Sequence, residues 1–129
     1  MLNVSIGLET AYRAGLAKEL SRTLQFNQES GNLQVHDLFV PGEAFTETEA
    51  MTENLVTQIL PEVNGNQVTL ARDGVHVVLT VQVPENPEIT VKEYAHSNHR
   101  GEPETVYAVQ WKVAGGKSRF SVAAFGKQN

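Results

Sequence analysis

His96-Ser97-Asn98-His99-Arg100-Gly101 is the densest cluster of chemically capable side chains in the sequence. His-x-x-His can bring two imidazoles to one metal ion, and His36 or His76 could complete such a site. The helical zinc-protease pattern needs a different spacing and a glutamate between the histidines, and this stretch has neither. The cluster therefore reads better as a partner-contacting loop, because loops on rigid scaffolds often carry binding. His36-Asp37 is an adjacent acid–base pair and Ser97 or Ser121 offers a hydroxyl, but nothing in the spacing assembles a catalytic triad. Gly115-Gly116-Lys117-Ser118 resembles the tail of a phosphate loop only superficially: the upstream glycine is missing and a strand pattern follows where a helix is needed. No nucleophile elbow or dinucleotide fingerprint occurs. With no cysteine, disulfides, iron–sulfur clusters, thiolate zinc sites and thiol nucleophiles are all excluded. The expectation is a protein without cofactor or metal, and not an enzyme.

Charge is more informative than motif. The 129 residues carry 10 basic and 15 acidic side chains, a net charge of −5. Thr23 to Ala71 contains no Lys or Arg but seven acids: Glu29, Asp37, Glu43, Glu47, Glu49, Glu53 and Glu62. From Thr105 onward the balance inverts, with Lys112, Lys117, Arg119 and Lys127 and no acid. Such asymmetry points to partners rather than to fold.

The elements that must position these groups are read from periodicity. Leu8, Ala11, Tyr12, Leu16, Leu20 and Leu24 recur at spacings of three and four, which predicts an amphipathic helix over about 8–27, closed by Ser30-Gly31-Asn32. Gly15 inside it suggests close approach to a sheet. Leu33–Val40 reads as a short strand or ordered loop before Pro41-Gly42. Thr46 and Glu49 match a capping box, and Met51, Leu55, Val56, Ile59 and Leu60 supply the buried face of a second helix stopped by Pro61. The period then changes. Val75, Val77, Leu79, Val81 and Val83 alternate as a half-buried strand, preceded by Val68 and Leu70 across the Asp73-Gly74 turn. Further strands follow at Ile89 and Val91, at Tyr107 to Val113, and at Phe120 to Ala124, with Trp111 and Phe120 expected in the core.

The prediction is a single α+β domain over 1–129, two amphipathic helices packed on one face of a roughly five-stranded, mainly antiparallel sheet. No stretch approaches the roughly 20 apolar residues of a membrane span, and the charges at Glu9, Arg13, Lys18 and Glu19 are unlike a signal-peptide core, so the expected location is the cytoplasm. The leading functional expectation is a non-enzymatic protein-interaction domain, either a small regulator or inhibitor or an assembly component such as those of viruses. Its surfaces are an acidic helical segment (Glu43, Glu47, Glu49, Glu53) and a hairpin tip (His96, His99, Arg100), facing a basic protein surface or another copy of the chain. The first alternative is a nucleic-acid-binding module using Lys92, Arg100, Lys112, Lys117 and Arg119 on a basic C-terminal hairpin. The second is a small-ligand or metal-binding enzyme around His36, His76, His96 and His99.

Overall fold

The computed structural model describes residues 1–45, 51–114 and 118–128. Among them ten strands occur: β1 (Leu2–Gly7), β2 (Ala17–Phe26), β3 (Leu33–Pro41), β4 (Met51–Thr57), β5 (Glu62–Asn64), β6 (Gln67–Arg72), β7 (Val75–Val83), β8 (Thr90–Ser97), β9 (Pro103–Val113) and β10 (Arg119–Gln128). They form a seven-stranded sheet in the order β1-β2-β3-β10-β7-β6-β5 and a three-stranded sheet in the order β4-β9-β8, with every pairing antiparallel. Val68, Leu79, Val81 and Ala123 of the large sheet pack against Val109, Trp111 and Val113 of the small one, so the core is the filling of a sandwich.

The expected α+β architecture is overturned. The sole helical element among the described residues is a single 3₁₀ turn, Glu9–Ala11. The stretch read as the first helix holds that turn and β2, and the stretch read as the second holds β4, with its capping-box residues Thr46 and Glu49 outside the described residues. Both errors have one cause. Leu20 and Leu24, like Met51 and Leu55, are four apart, a spacing that fits a helix and a strand equally well. The residue between each pair, Arg22 or Glu53, is charged yet faces inward. A charge at an inward position hides the period-two pattern.

Gly15 does not sit in a helix. It has φ +82°, its carbonyl accepts a hydrogen bond from the Ala44 amide at 2.9 Å, and a Cβ at Gly42 would run into that carbonyl. The loop before β2 and the loop after β3 thus clasp each other where only glycine allows the approach.

The second half follows its expected strands, with two differences. β10 is shifted by one residue in phase, so Arg119, Ser121, Ala123 and Phe125 face inward and Phe120 is exposed, while Trp111 is buried as expected. β9 and β10 also belong to different sheets, so no basic C-terminal hairpin forms. No helix among the described residues is long and apolar enough to cross a membrane.

One row of paired residues reveals how unevenly the sandwich is filled. Val4, Leu24, Val35, Ala123 and Val81 lie side by side on one face of the large sheet. Val81 is 1% exposed and Val4 is 52% exposed. The small sheet covers the β10-β7-β6 region and leaves the β1 end of the same apolar face open.

Candidate functional site

The next row on that face is polar. Ile6, Arg22, Asp37 and Ser121 are register partners across β1, β2, β3 and β10. Arg22 donates through Nε and Nη2 to the two oxygens of Asp37, each at 2.8 Å, a bidentate fork. Opposite them on the small sheet stand Glu53 of β4 and its register partner Trp111 of β9. Glu53 Oε2 lies 3.6 Å from Arg22 Nη2, and the Trp111 indole N–H donates to the Ser121 hydroxyl at 3.4 Å. A polar rung therefore crosses the sandwich, with each of its polar side chains answered by one on the opposite sheet or the next strand.

The electrostatics of the rung follow from burial. Desolvation raises the Glu53 carboxyl from 4.5 to about 8, helped by its hydrogen bond to Asp37 and the charge of Asp37, and opposed by Arg22. The raised value favours the protonated form of Glu53, which can share its proton with Asp37. The Arg22 guanidinium is held charged above its ordinary value, first by its hydrogen bonds to Asp37. One face of the rung opens into a cleft of about 290 Å³ walled by Leu8, Tyr12, Leu16, Leu20, Phe39, Phe45 and Met51. A protonated acid beside a carboxylate is the raw material of acid–base catalysis. Here Arg22 binds both oxygens of Asp37 within the large sheet, and Glu53 reaches this pair from the small one, so the cluster links the two sheets.

The residues singled out from sequence scatter. Glu43 is exposed in the turn after β3, Glu53 is buried in the rung, and Glu47 and Glu49 lie outside the described residues. The acidic helix is replaced by β4, so no acidic helical face exists among the described residues to dock a partner. His96 pairs with Glu104 at 3.1 Å near the end of β8, and His99 and Arg100 are exposed in the turn beyond it. That turn is built by Asn98, whose Oδ1 accepts from the amides of Arg100 and Glu102 and whose Nδ2 donates to Glu104. Of the cations, Lys92 and Lys112 flank a shallow depression on the outer face of the small sheet, and Arg100 is at the distant tip. Lys117 falls outside the described residues. Arg119 is only 4% exposed, its guanidinium stacked 4.6 Å from the centre of the Phe45 ring. His36 rests against Phe120, and among the described residues no group of three or more His, Asp or Glu is placed to hold a metal ion.

The sequence reading missed Arg22 as a site residue and took Asp37 only as a neighbour of His36 and as one acid of the acidic segment. The available signal was Leu20-x-Arg22-x-Leu24-x-Phe26 and Met51-x-Glu53-x-Leu55, two alternations each interrupted by one charge of opposite sign. It also missed β1, whose Leu2, Val4 and Ile6 are exposed although they alternate like a buried face. Compared with known proteins, the chain matches no protein-family model and no curated sequence.

Proposed function

We propose that this chain is a non-enzymatic protein-interaction domain that docks its partner along β1 and the apolar face beside it. The observation that carries this reading is the exposure of Leu2, Val4, Ile6 and Phe26 on the same sheet face that forms the core a few strands away. Contiguous exposed apolar surface on a folded domain marks a place where something binds. β1 is also an edge strand, with backbone donors and acceptors unpaired on its outer side. Main-chain pairing at an edge, with alternate side chains filling a neighbouring surface, is a recurrent mode of recognition.

The nucleic-acid reading draws less support. Arg119 is turned into the protein, and Lys92, Lys112 and Arg100 are spread over one face and a distant tip rather than gathered along a groove. The test is comparative capture with tagged wild-type chain and with the Leu2→Ser/Val4→Ser/Ile6→Ser variant, whose fold is verified by Trp111 fluorescence. Loss of the captured proteins, including untagged copies of the chain itself, is the expected result. An unchanged set of captured proteins would overturn the assignment.

A further inference from the structure

Among the described residues the two sheets have four strand edges, and three are protected. β5 is three residues long, starts at Glu62 and follows Pro61. β8 carries Lys92 and Glu93, and β4 carries the inward-pointing charge of Glu53. These are the devices by which proteins keep sheet edges from pairing. β1, Leu2-Asn3-Val4-Ser5-Ile6-Gly7, has no charge and no proline, and all six residues are exposed. An edge left in this state is open to pairing with another strand.

Its sequence also says with what. Leu2-Asn3-Val4-Ser5-Ile6 is a chemical palindrome about Val4. In an antiparallel pair of two such strands centred on Val4, Leu2 faces Ile6 of the other copy, Asn3 faces Ser5, and Val4 faces itself. Directly opposed residues share a sheet face, so apolar meets apolar and amide meets hydroxyl throughout. A shift by one residue would set Val4 beside Ser5 and join the apolar face of one copy to the polar face of the other. β1 itself brings no charge to repel a second identical strand.

We infer that β1 pairs antiparallel with β1 of a second copy of this chain, about a two-fold axis through Val4. The inference rests on the proposed docking role of this edge and names its occupant. The axis stands perpendicular to the sheet, so the contact is isologous and closes as a dimer. The two seven-stranded sheets become one continuous sheet, and the open apolar faces beside β1 join across the axis.

The absence of cysteine makes the register directly measurable. Val4→Cys places two thiols opposite each other, within the roughly 7 Å between Cα atoms that a disulfide can span. Leu2→Cys places its thiols four residues apart along the paired strands, roughly 14 Å, beyond reach. Under mild copper–phenanthroline oxidation, Val4→Cys should yield the covalent dimer and Leu2→Cys alone should not, whereas Leu2→Cys mixed with Ile6→Cys should cross-link. Val4→Lys sets two ammonium groups face to face on the axis. It should weaken the dimer at least tenfold by light scattering, with Trp111 fluorescence unchanged. A chain monomeric over a concentration series, with no Val4→Cys product, overturns the inference, as does equal cross-linking at Leu2 and Val4. If that monomer still loses its captured proteins in the triple-serine variant, the docking role stands and only the second copy is refuted. If it loses none, both fall.

Discussion

Glu53 is the residue on which the polar rung turns. Its carboxyl is raised in the folded chain to about 8 from the 4.5 of an exposed glutamate, so the native state holds a proton that the unfolded chain releases. The sign follows from linkage. Where the native state binds more protons, stability falls as pH rises, by up to about 1.4 kcal/mol per pH unit for one group. Glu53 therefore stabilises fully below pH 4.5, and that contribution is lost as pH climbs to about 8. A glutamine side chain is a neutral isostere of the protonated acid, with an N–H to offer Asp37, so Glu53→Gln should abolish this part of the pH dependence. Denaturant unfolding of both chains at pH 5, 7 and 9 should show the variant gaining on the wild type as pH rises; parallel curves would mean that Glu53 ionises normally. Asp37→Asn acts in the opposite sense. It strips Arg22 of its bidentate carboxylate and should cost about 2 kcal/mol, moderated because the Arg22 side chain is 41% exposed and water can replace part of what is lost.

At the scale of elements, the rung explains both how the sheets are held together and why the first half of the chain misleads. Two strands were legible without help: Val75, Val77, Leu79, Val81 and Val83 keep every second position apolar, and the turn between this strand and β6 has Asp73 at φ 52° and Gly74 at φ 79°, the left-handed pair that a tight hairpin requires. β2, β4 and β10 were not, or not in phase, because Arg22, Glu53, Arg119 and Ser121 face inward. Each is tolerated there by a partner from elsewhere in the chain, Asp37, Phe45 or Trp111. No local pattern records a partner as distant as Asp37 is from Arg22. The loops that frame β2 and β3 were equally hidden, since the glycines that lock them act across the gap between residues 15 and 42. Gly42→Ala tests that lock. The new methyl meets the backbone carbonyl of Gly15, which cannot rotate aside as a side chain would, so the cost should be about 1–3 kcal/mol. The same substitution at Gly65 meets no atom within 4 Å and costs only the strain of its positive φ; a Gly42→Ala midpoint equal to wild type would show that the clasp is loose in solution.

The whole molecule is a sandwich with a filled end and an open end. At the filled end Leu79 is wholly enclosed between the sheets, with Val68 and Val81 beside it shut off from water in the same way. At the open end the same sheet face continues through Val35 and Leu24, both half-buried, to the exposed Val4. Burial determines what an apolar side chain contributes, so two leucines on one face should behave as different residues. Leu79→Ala empties a closed site between the sheets and should cost about 2–5 kcal/mol. Leu2→Ala removes methyl groups that are already half in water and should leave the folding equilibrium within about 0.5 kcal/mol, measured on dilute chain so that association does not contribute. A large loss from Leu2→Ala under those conditions would mean that some part of the chain folds over β1. A small one would show that this half-exposed apolar strip contributes little to folding, as the proposed docking role of β1 requires.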